Sequence, residues 1–200
     1  QEEYLKAPVV EDFSAGYPFG FDLALSADGN MLAVLSPYVA GSATGINGNW
    51  FDSSADQAGA AYIYQFVTTT WGNTAYIEAS NTESGDLFGW SLALSPDGRT
   101  LAAGARLEDG SPSGVGGDEN GLSFQSGAAY VYHFDGIDWS QQAYVKASNN
   151  GSDSFGASVA LGGDGATLAV GATQEDSAAT GINGDQDDNS SDASGAVYLY

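Results

Sequence analysis

Apolar and polar residues alternate along short runs of this chain, and the runs recur in a fixed order. The run from Phe88 to Leu94 is followed by the turn Pro96-Asp97-Gly98-Arg99 and by a second apolar run, Leu101 to Ala105. Period-two alternation predicts β-strands, and Asp-Gly between two such runs predicts a tight hairpin. We name the two runs strand A and strand B. Because no segment combines helical periodicity with caps, the sequence predicts an all-β protein.

The same hairpin occurs three times. Phe-Gly pairs at positions 19, 88 and 155 begin the copies, which are therefore 69 and 67 residues apart. Each copy continues into a long loop rich in Gly, Ser, Asn and Asp, and then into a strand C that begins at Gly59, Gly127 or Gly195. A loop carrying Trp71 or Trp139 leads to a short strand D, predicted at residues 4–7, 76–80 and 144–148. This period indicates repeats of four antiparallel strands, a unit that is typical of propeller blades.

Three motifs of these repeats resemble a known family. The Phe-Gly start, Leu-Ala-Val-Gly-Ala at residues 168–172 and Gly-Ala-Val-Tyr at residues 195–198 are similar to the FG-GAP repeat, which builds the propellers of integrin α-subunits and of many bacterial surface proteins. The resemblance covers essentially the whole chain in three copies. It implies β-propeller blades in an extracellular or cell-surface protein.

The repeat order divides the single domain, residues 1–200, into unequal pieces. Residues 1–8 are expected to form strand D of a split blade, 9–80 the first repeat, 81–148 the second, and 149–200 an incomplete third with strands A, B and C. An exposed strand edge invites pairing with another strand. The chain is therefore a slice of a longer propeller, a unit whose blades complete one another in trans, or an unusual open assembly.

The charge of the chain narrows the choice of partners. Acidic residues number 26 against four basic ones, which gives a net charge of −22. Such a surface repels nucleic acid, because phosphate binding depends on Lys and Arg. No apolar run approaches the roughly 20 residues of a membrane span. We therefore expect neither nucleic-acid binding nor membrane insertion. There is no cysteine, so disulfides and zinc–thiolate sites are excluded.

The loops between strands B and C, the B–C loops, carry the candidate metal ligands. Calcium takes roughly six to eight oxygen ligands, many from Asp and Asn side chains. The sequence therefore predicts calcium at the third loop and the first loop, against the alternative of flexible acidic loops; the second loop offers residues 118–120 only. The predicted ligands are Asn183, Asp185, Asp187, Asp188 and Asp192 in the third loop and Asn47, Asn49, Asp52 and Asp56 in the first. The A–B turns keep a single Asp each and are predicted to be plain hairpin turns.

A ligand surface is implied by the family resemblance. In the integrin-like arrangement the B–C loops share one face with the D–A loops, so Asp86 and Asp153 are expected near the B–C loops. Trp50, Phe51 and Phe124 would form the apolar part of a surface that binds a protein or a glycan. The alternative is that these aromatic side chains fix each loop to its own blade.

Catalytic chemistry has little support in the sequence. His133 is the only histidine, so no Ser-His-Asp set is available. The sequence predicts a non-enzymatic extracellular binding or adhesion module with cation-ordered loops. One alternative is a structural subunit whose blades complete one another in a ring or filament. A second is a propeller hydrolase, for which the abundant carboxylates are the one argument.

Overall fold

The computed structural model describes residues 3–8, 19–110, 114–116, 124–149 and 151–200. These residues contain strands and no helix, which confirms the all-β prediction for the described part of the chain. The strands are β1 (Leu23–Leu25), β2 (Met31–Ser36), β3 (Ala60–Val67), β4 (Thr70–Ile77), β5 (Phe88–Leu94), β6 (Thr100–Ala105), β7 (Gly114–Val115), β8 (Ala128–Phe134), β9 (Trp139–Lys146), β10 (Phe155–Leu161), β11 (Leu168–Ala172) and β12 (Ala196–Leu199).

The strands form three antiparallel sheets in chain order. Sheet 1 has the order β1-β2-β3-β4, sheet 2 the order β5-β6-β8-β9-β7, and sheet 3 the order β10-β11-β12. Strands A, B, C and D of the sequence are therefore neighbours in sheets 1 and 2, and strands A, B and C are neighbours in sheet 3, as the repeat predicts. The register repeats too, since Tyr62 lies opposite Tyr76 in sheet 1 and Tyr130 lies opposite Tyr144 in sheet 2.

The Phe-Gly motif places an aromatic ring at the start of each repeat. The ring of Phe88 packs edge-on against Tyr130 at 5.3 Å between centroids, and that of Phe155 packs in the same way against Tyr198 at 5.5 Å. After Phe155 the pairing with β11 shifts at a β-bulge, where Gly156 has φ +87°. Glycine adopts this conformation without steric cost, so the motif couples a core side chain to a bend in strand A.

Successive sheets are joined by backbone hydrogen bonds as well as by apolar contacts. The Phe88 amide donates to the carbonyl of Ala58 at 2.8 Å, and the Phe155 amide donates to that of Ser126 at 3.0 Å. Each bond links strand A of one sheet to the start of strand C in the sheet before it. Sheet 2 therefore lies between sheets 1 and 3.

Strand D is longer than the sequence predicts. Trp71 and Trp139 lie within β4 and β9, so the prediction that they belong to loops was wrong. Each tryptophan lies opposite a phenylalanine of strand C, and the ring centroids of Phe134 and Trp139 are 5.3 Å apart. Such cross-strand aromatic pairs stabilise the end of a hairpin, which is why the strands extend to the turn.

Residues 4–7 do not form the predicted strand D. The structure assigns no strand within residues 3–8. The segment lies against sheet 1 instead: the Tyr64 hydroxyl donates to the Lys6 carbonyl at 3.2 Å, and Leu5 packs on the apolar cluster of that sheet. A strand needs a neighbouring edge to pair with, and none adjoins this segment within the described residues.

The A–B turns are plain hairpins, as predicted. Asp97 Oδ1 accepts hydrogen bonds from the Ser95 hydroxyl at 2.6 Å and from the Arg99 amide at 3.0 Å. The Ser95 hydroxyl bond is the main cause that lowers the pKa of Asp97. The carboxylate is thus used to close its own turn.

Candidate functional site

The B–C loops return to the sheet edge, which sequence reasoning missed. In sheet 1, the amide of Asn47 donates to the Tyr76 carbonyl at 2.7 Å, and Ile46 forms a bridge with Ile77. In sheet 2, β7 pairs with β9 in the same manner. Strand D is therefore enclosed between strand C and a short stretch of its own loop. The available signal was the repeat of Thr-Gly-Ile-Asn-Gly at residues 44–48 and 180–184.

A buried ion pair fixes the base of the second B–C loop. Glu108 and Lys146 have side chains that are 2% and 3% exposed, and Glu108 Oε2 lies 2.6 Å from Lys146 Nζ. The Tyr144 hydroxyl donates to Glu108 Oε1 at 2.9 Å, and Lys146 also donates to the Ser126 hydroxyl at 2.6 Å. Asn81 of the D–A loop donates to the same Glu108 Oε1 at 2.8 Å.

The electrostatics of this cluster follow from burial. Removing an ammonium group from water disfavours its charged form, and burial lowers the pKa of Lys146, while the adjacent Glu108 acts in the opposite direction. The two buried charges pair with each other and accept or donate further hydrogen bonds. The cluster therefore anchors the second B–C loop, strand β9 and the D–A loop of residue Asn81 to one another.

Asp86 and Asp153 lie beside the B–C loops, as the resemblance implied. The Leu107 amide donates to the Asp86 carbonyl at 3.3 Å, and the Gln174 amide donates to that of Asp153 at 3.0 Å. Both carboxyl groups are buried, however, so they support the loops from below and are not part of an exposed ligand surface. Burial is the first cause that raises the pKa of Asp86 to about 7 and that of Asp153 to about 6.

These two raised pKa values predict the pH dependence of stability. Both pKa values exceed the 3.8 of an unperturbed Asp. The folded protein therefore binds more protons than the unfolded chain at pH values between 3.8 and each raised pKa. Stability therefore falls as pH rises through this window. We expect thermal melts followed by circular dichroism to give a decreasing melting temperature from about pH 4 to about pH 8.

Asp86→Asn should flatten this dependence and raise the melting temperature at the alkaline end. The amide oxygen can still accept the Glu83 backbone N–H, which Asp86 Oδ2 accepts at 3.0 Å, without the cost of a buried charge. The matched control is Asp138→Asn at an exposed position. Parallel curves for the parent protein and Asp86→Asn would contradict the assignment.

The predicted calcium ligands of the first loop are engaged in local hydrogen bonds. Asp52 accepts the Ser42 hydroxyl at 2.7 Å and the Ser54 amide at 3.0 Å, and the Ser42 bond is the first cause that lowers its pKa. Asn49 accepts the Phe51 amide at 3.3 Å, and Asn47 Oδ1 accepts the Tyr76 amide at 3.0 Å. Asp56 is exposed.

The third loop uses its acidic side chains in the same way. Asp185 Oδ1 accepts the Asp187 amide at 3.1 Å, and Asp188 accepts the amides of Ser190 at 3.1 Å and Ala178 at 3.2 Å. Asn183 and Asp192 are exposed.

No group of three or more His, Cys, Asp or Glu side chains able to hold a metal ion occurs among the described residues. Side-chain oxygens of Asp52, Asp185 and Asp188 accept backbone amides. Residues 118–120 lie outside the described part. Calcium binding by the loops stays a prediction.

The three aromatic residues of the predicted ligand surface differ in exposure. Trp50 is half-buried, and its ring packs edge-on against Tyr76 at 6.0 Å, so it fixes the first loop to sheet 1. Phe51 and Phe124 are 71% and 69% exposed. The Phe124 carbonyl accepts the Ser152 hydroxyl at 2.8 Å, which holds the backbone beneath that ring to the next D–A loop.

Comparison with known protein families agrees with this geometry. The FG-GAP repeat model matches residues 71–132, which begin in β4 and end in β8. Residues 71–132 are an FG-GAP repeat. The FG-GAP match thus spans strand D of sheet 1 and strands A, B and C of sheet 2. Among curated proteins no sequence matches the chain. No helix among the described residues is long and apolar enough to cross a membrane.

Proposed function

We propose that this FG-GAP repeat protein is an extracellular β-propeller module that binds a protein or a glycan through the B–C loop face. The observation that carries the proposal is the exposure of Phe51 and Phe124 on successive B–C loops. Large exposed aromatic side chains on a supported backbone are typical binding anchors, since they offer contact area at little entropic cost.

The supports beneath the two loops favour this function over a plain acidic surface. The second loop is anchored by the Glu108–Lys146 pair, and the first by Trp50 and by the pairing of Asn47 with Tyr76. The first loop also accepts the Gly85 amide at the Asp56 carbonyl, 2.9 Å away. A loop that is ordered before binding loses less conformational entropy when a partner arrives. The net charge of −22 favours a partner with basic groups.

A binding screen with a loop variant tests the proposal. The chain is applied to an array of immobilised glycans and purified extracellular proteins, beside Phe51→Ser/Phe124→Ser. We expect each ligand of the parent to bind at least about tenfold more weakly to the double variant, because anchor residues dominate binding energy. The matched control is Ile137→Ser, which changes a side chain 84% exposed in the turn between β8 and β9. Ligands that bind the double variant as tightly as the parent would place the binding face elsewhere.

A further inference from the structure

Arg106 carries a positive charge that no carboxylate among the described residues neutralises. Four basic residues face 26 acidic ones in this chain, and the ion pair found in the described part joins Glu108 to Lys146. Arg106 begins the second B–C loop directly after β6, and its Nε atom is buried without a hydrogen-bond partner in the residues that the structure describes. A buried donor without an acceptor is costly, so another interaction must hold this side chain in place.

The ring of Trp90 in β5 holds the Arg106 side chain. The guanidinium carbon of Arg106 lies 3.9 Å from the centroid of that ring, which is a cation–π contact. Stacking uses one face of the guanidinium plane, whereas the N–H donors lie along its edge. The contact therefore fixes the orientation of Arg106 without engaging its donors. Arg106 is half-buried and not enclosed, so an acceptor from another molecule can approach it.

Trp90 packs with two further rings, Phe21 and Tyr38, and we call the three the aromatic platform. The ring centroids are 6.1 Å apart for Phe21 and Tyr38, 5.2 Å for Phe21 and Trp90, and 6.4 Å for Tyr38 and Trp90. Phe21 and Tyr38 adjoin β1 and β2 of sheet 1, while Trp90 belongs to sheet 2. Tyr38 and Trp90 are half-buried, whereas Phe21 is 40% exposed. The platform therefore bridges two sheets and offers an apolar surface beside the guanidinium group.

Matching backbone turns begin the first two B–C loops and fix the residues of this site. In the first turn, which carries the tyrosine of the platform, the Val39 amide donates to the Ser36 carbonyl at 3.3 Å. In the second, which carries the arginine, the Glu108 amide donates to the Ala105 carbonyl at 3.2 Å. Side chains on a fixed backbone lose less conformational entropy when a ligand binds, so the site is preorganised.

The repeat fold requires neither the platform nor the arginine. Sheet 3 has Ala157 at the position of Trp90 and Thr173 at the position of Arg106, and sheet 1 has Pro37 at the latter position. Sheet 3 nevertheless joins sheet 2 through the same Phe-Gly junction by which sheet 2 joins sheet 1. The platform and its cation are therefore specific to the contact between sheets 1 and 2, and packing of the repeat alone does not account for them.

We propose that Arg106 and the aromatic platform bind a carboxylate side chain of a polypeptide partner, with an apolar neighbour of that side chain in contact with Phe21. A carboxylate accepts two parallel hydrogen bonds from a guanidinium group, and such charge-assisted bonds are stronger than neutral ones. The net charge of −22 repels an acidic polysaccharide with a charge on each sugar, whereas a polypeptide can surround a single acid with basic residues. This site does not depend on the proposed role of Phe51 and Phe124.

Nuclear magnetic resonance of the isotope-labelled chain tests the site, with sodium benzoate as the probe and benzamide as its neutral counterpart. The chain has two arginines, Arg99 and Arg106, so their Nε–H groups give two distinct signals. Arg99 is exposed, and its signal reports non-specific ion binding. At constant ionic strength we expect benzoate to shift the signals of Arg106 and of the Trp90 indole in a saturable manner, and benzamide to leave both nearly unchanged.

Substitution of the arginine shows whether the guanidinium group binds the probe. Arg106→Thr introduces the residue that sheet 3 has at this position, so it should fold, which a thermal melt checks; Arg106→Gln replaces it if it does not. We expect benzoate to bind at least about tenfold more weakly, measured from the Trp90 indole signal, because charge-assisted bonds are lost. The matched control is Arg99→Thr. Phe51→Ser/Phe124→Ser should bind benzoate like the parent, which separates this site from the proposed loop surface.

Two peptides and an acidic sugar distinguish the sources of the carboxylate. The acetylated and amidated peptides Lys-Phe-Asp-Lys and Lys-Phe-Asn-Lys differ in the carboxylate alone, and trigalacturonate represents an acidic polysaccharide. We expect the Asp peptide to bind at least about tenfold more tightly than the Asn peptide, and more tightly than trigalacturonate. Tighter binding of trigalacturonate, equal binding of the two peptides, equal shifts with benzoate and benzamide, or unchanged binding by Arg106→Thr would overturn the proposal.

Discussion

Gly127→Ala is expected to lower the melting temperature by roughly 10 °C, which corresponds to about 4 kcal/mol of unfolding free energy. Gly127 begins strand C of sheet 2 with φ +80°, a conformation that is strained for alanine. A Cβ atom at this position would also overlap the backbone carbonyl oxygen of Phe155, the first residue of sheet 3. Strain and overlap act at the same junction between two sheets, which is why the expected loss is large.

Gly195→Ala is the matched control for this substitution. Gly195 is the equivalent glycine of sheet 3 and has a similar φ of +78°, but the nearest atom to a Cβ there is 3.7 Å away. Only the backbone strain remains, so we expect a loss of about 1 kcal/mol. Thermal melts of the two variants therefore isolate the cost of the sheet-to-sheet contact. Equal losses would show that this contact does not limit stability.

Lys146→Met is expected to reduce the unfolding free energy by about 3–5 kcal/mol, because it leaves the Glu108 carboxylate buried without its cation. Methionine has a similar length and fills the space of the lysine stem. The loss of unfolding free energy therefore arises from the missing charge and not from a cavity. Urea denaturation followed by tryptophan fluorescence measures the change. The base of the second B–C loop should also become more accessible to protease.

Glu108→Gln/Lys146→Met tests whether the loss arises from the unpaired charge. The glutamine oxygen can still accept from Tyr144 and Asn81, which donate to Glu108 Oε1 at 2.9 and 2.8 Å. We therefore expect the double variant to be more stable than Lys146→Met, with a coupling energy of about 2 kcal/mol in the double-mutant cycle. Additive effects of the two substitutions would contradict the view that the ion pair anchors the loop.

Local patterns predicted strands A, B and C and the turns between A and B. The alternation from Phe88 to Leu94 and the Asp-Gly of the turn depend on neighbours within a few residues, so the sequence contains all of the relevant information. The predicted start of strand D lies several residues after the observed start, Trp139 in sheet 2. The reason is that the pairing of Trp139 with Phe134 depends on the hairpin that joins them. Residues 4–7 were predicted as strand D of a split blade; the structure assigns no strand there, because a strand also requires an adjacent edge.

The site was predicted less completely than the fold. The sequence identified the B–C loops and the exposed Phe51 and Phe124, and it placed Asp86 and Asp153 close to those loops. It did not reveal that Asp86 and Asp153 are buried, or that Asp52 and Asp188 close local turns. Composition shows how many carboxylates a loop has, while only coordinates show whether their oxygens converge.

By itself the sequence determined the three-fold repeat, the all-β class and the order of the strands, because alternation and turn residues act over short distances along the chain. The tertiary structure alone decided that Glu108 and Lys146 meet, although they lie 38 positions apart. It also decided that Gly127 touches Phe155. The physical reason is that burial, charge pairing and edge pairing are properties of neighbours in space, which a linear pattern does not specify.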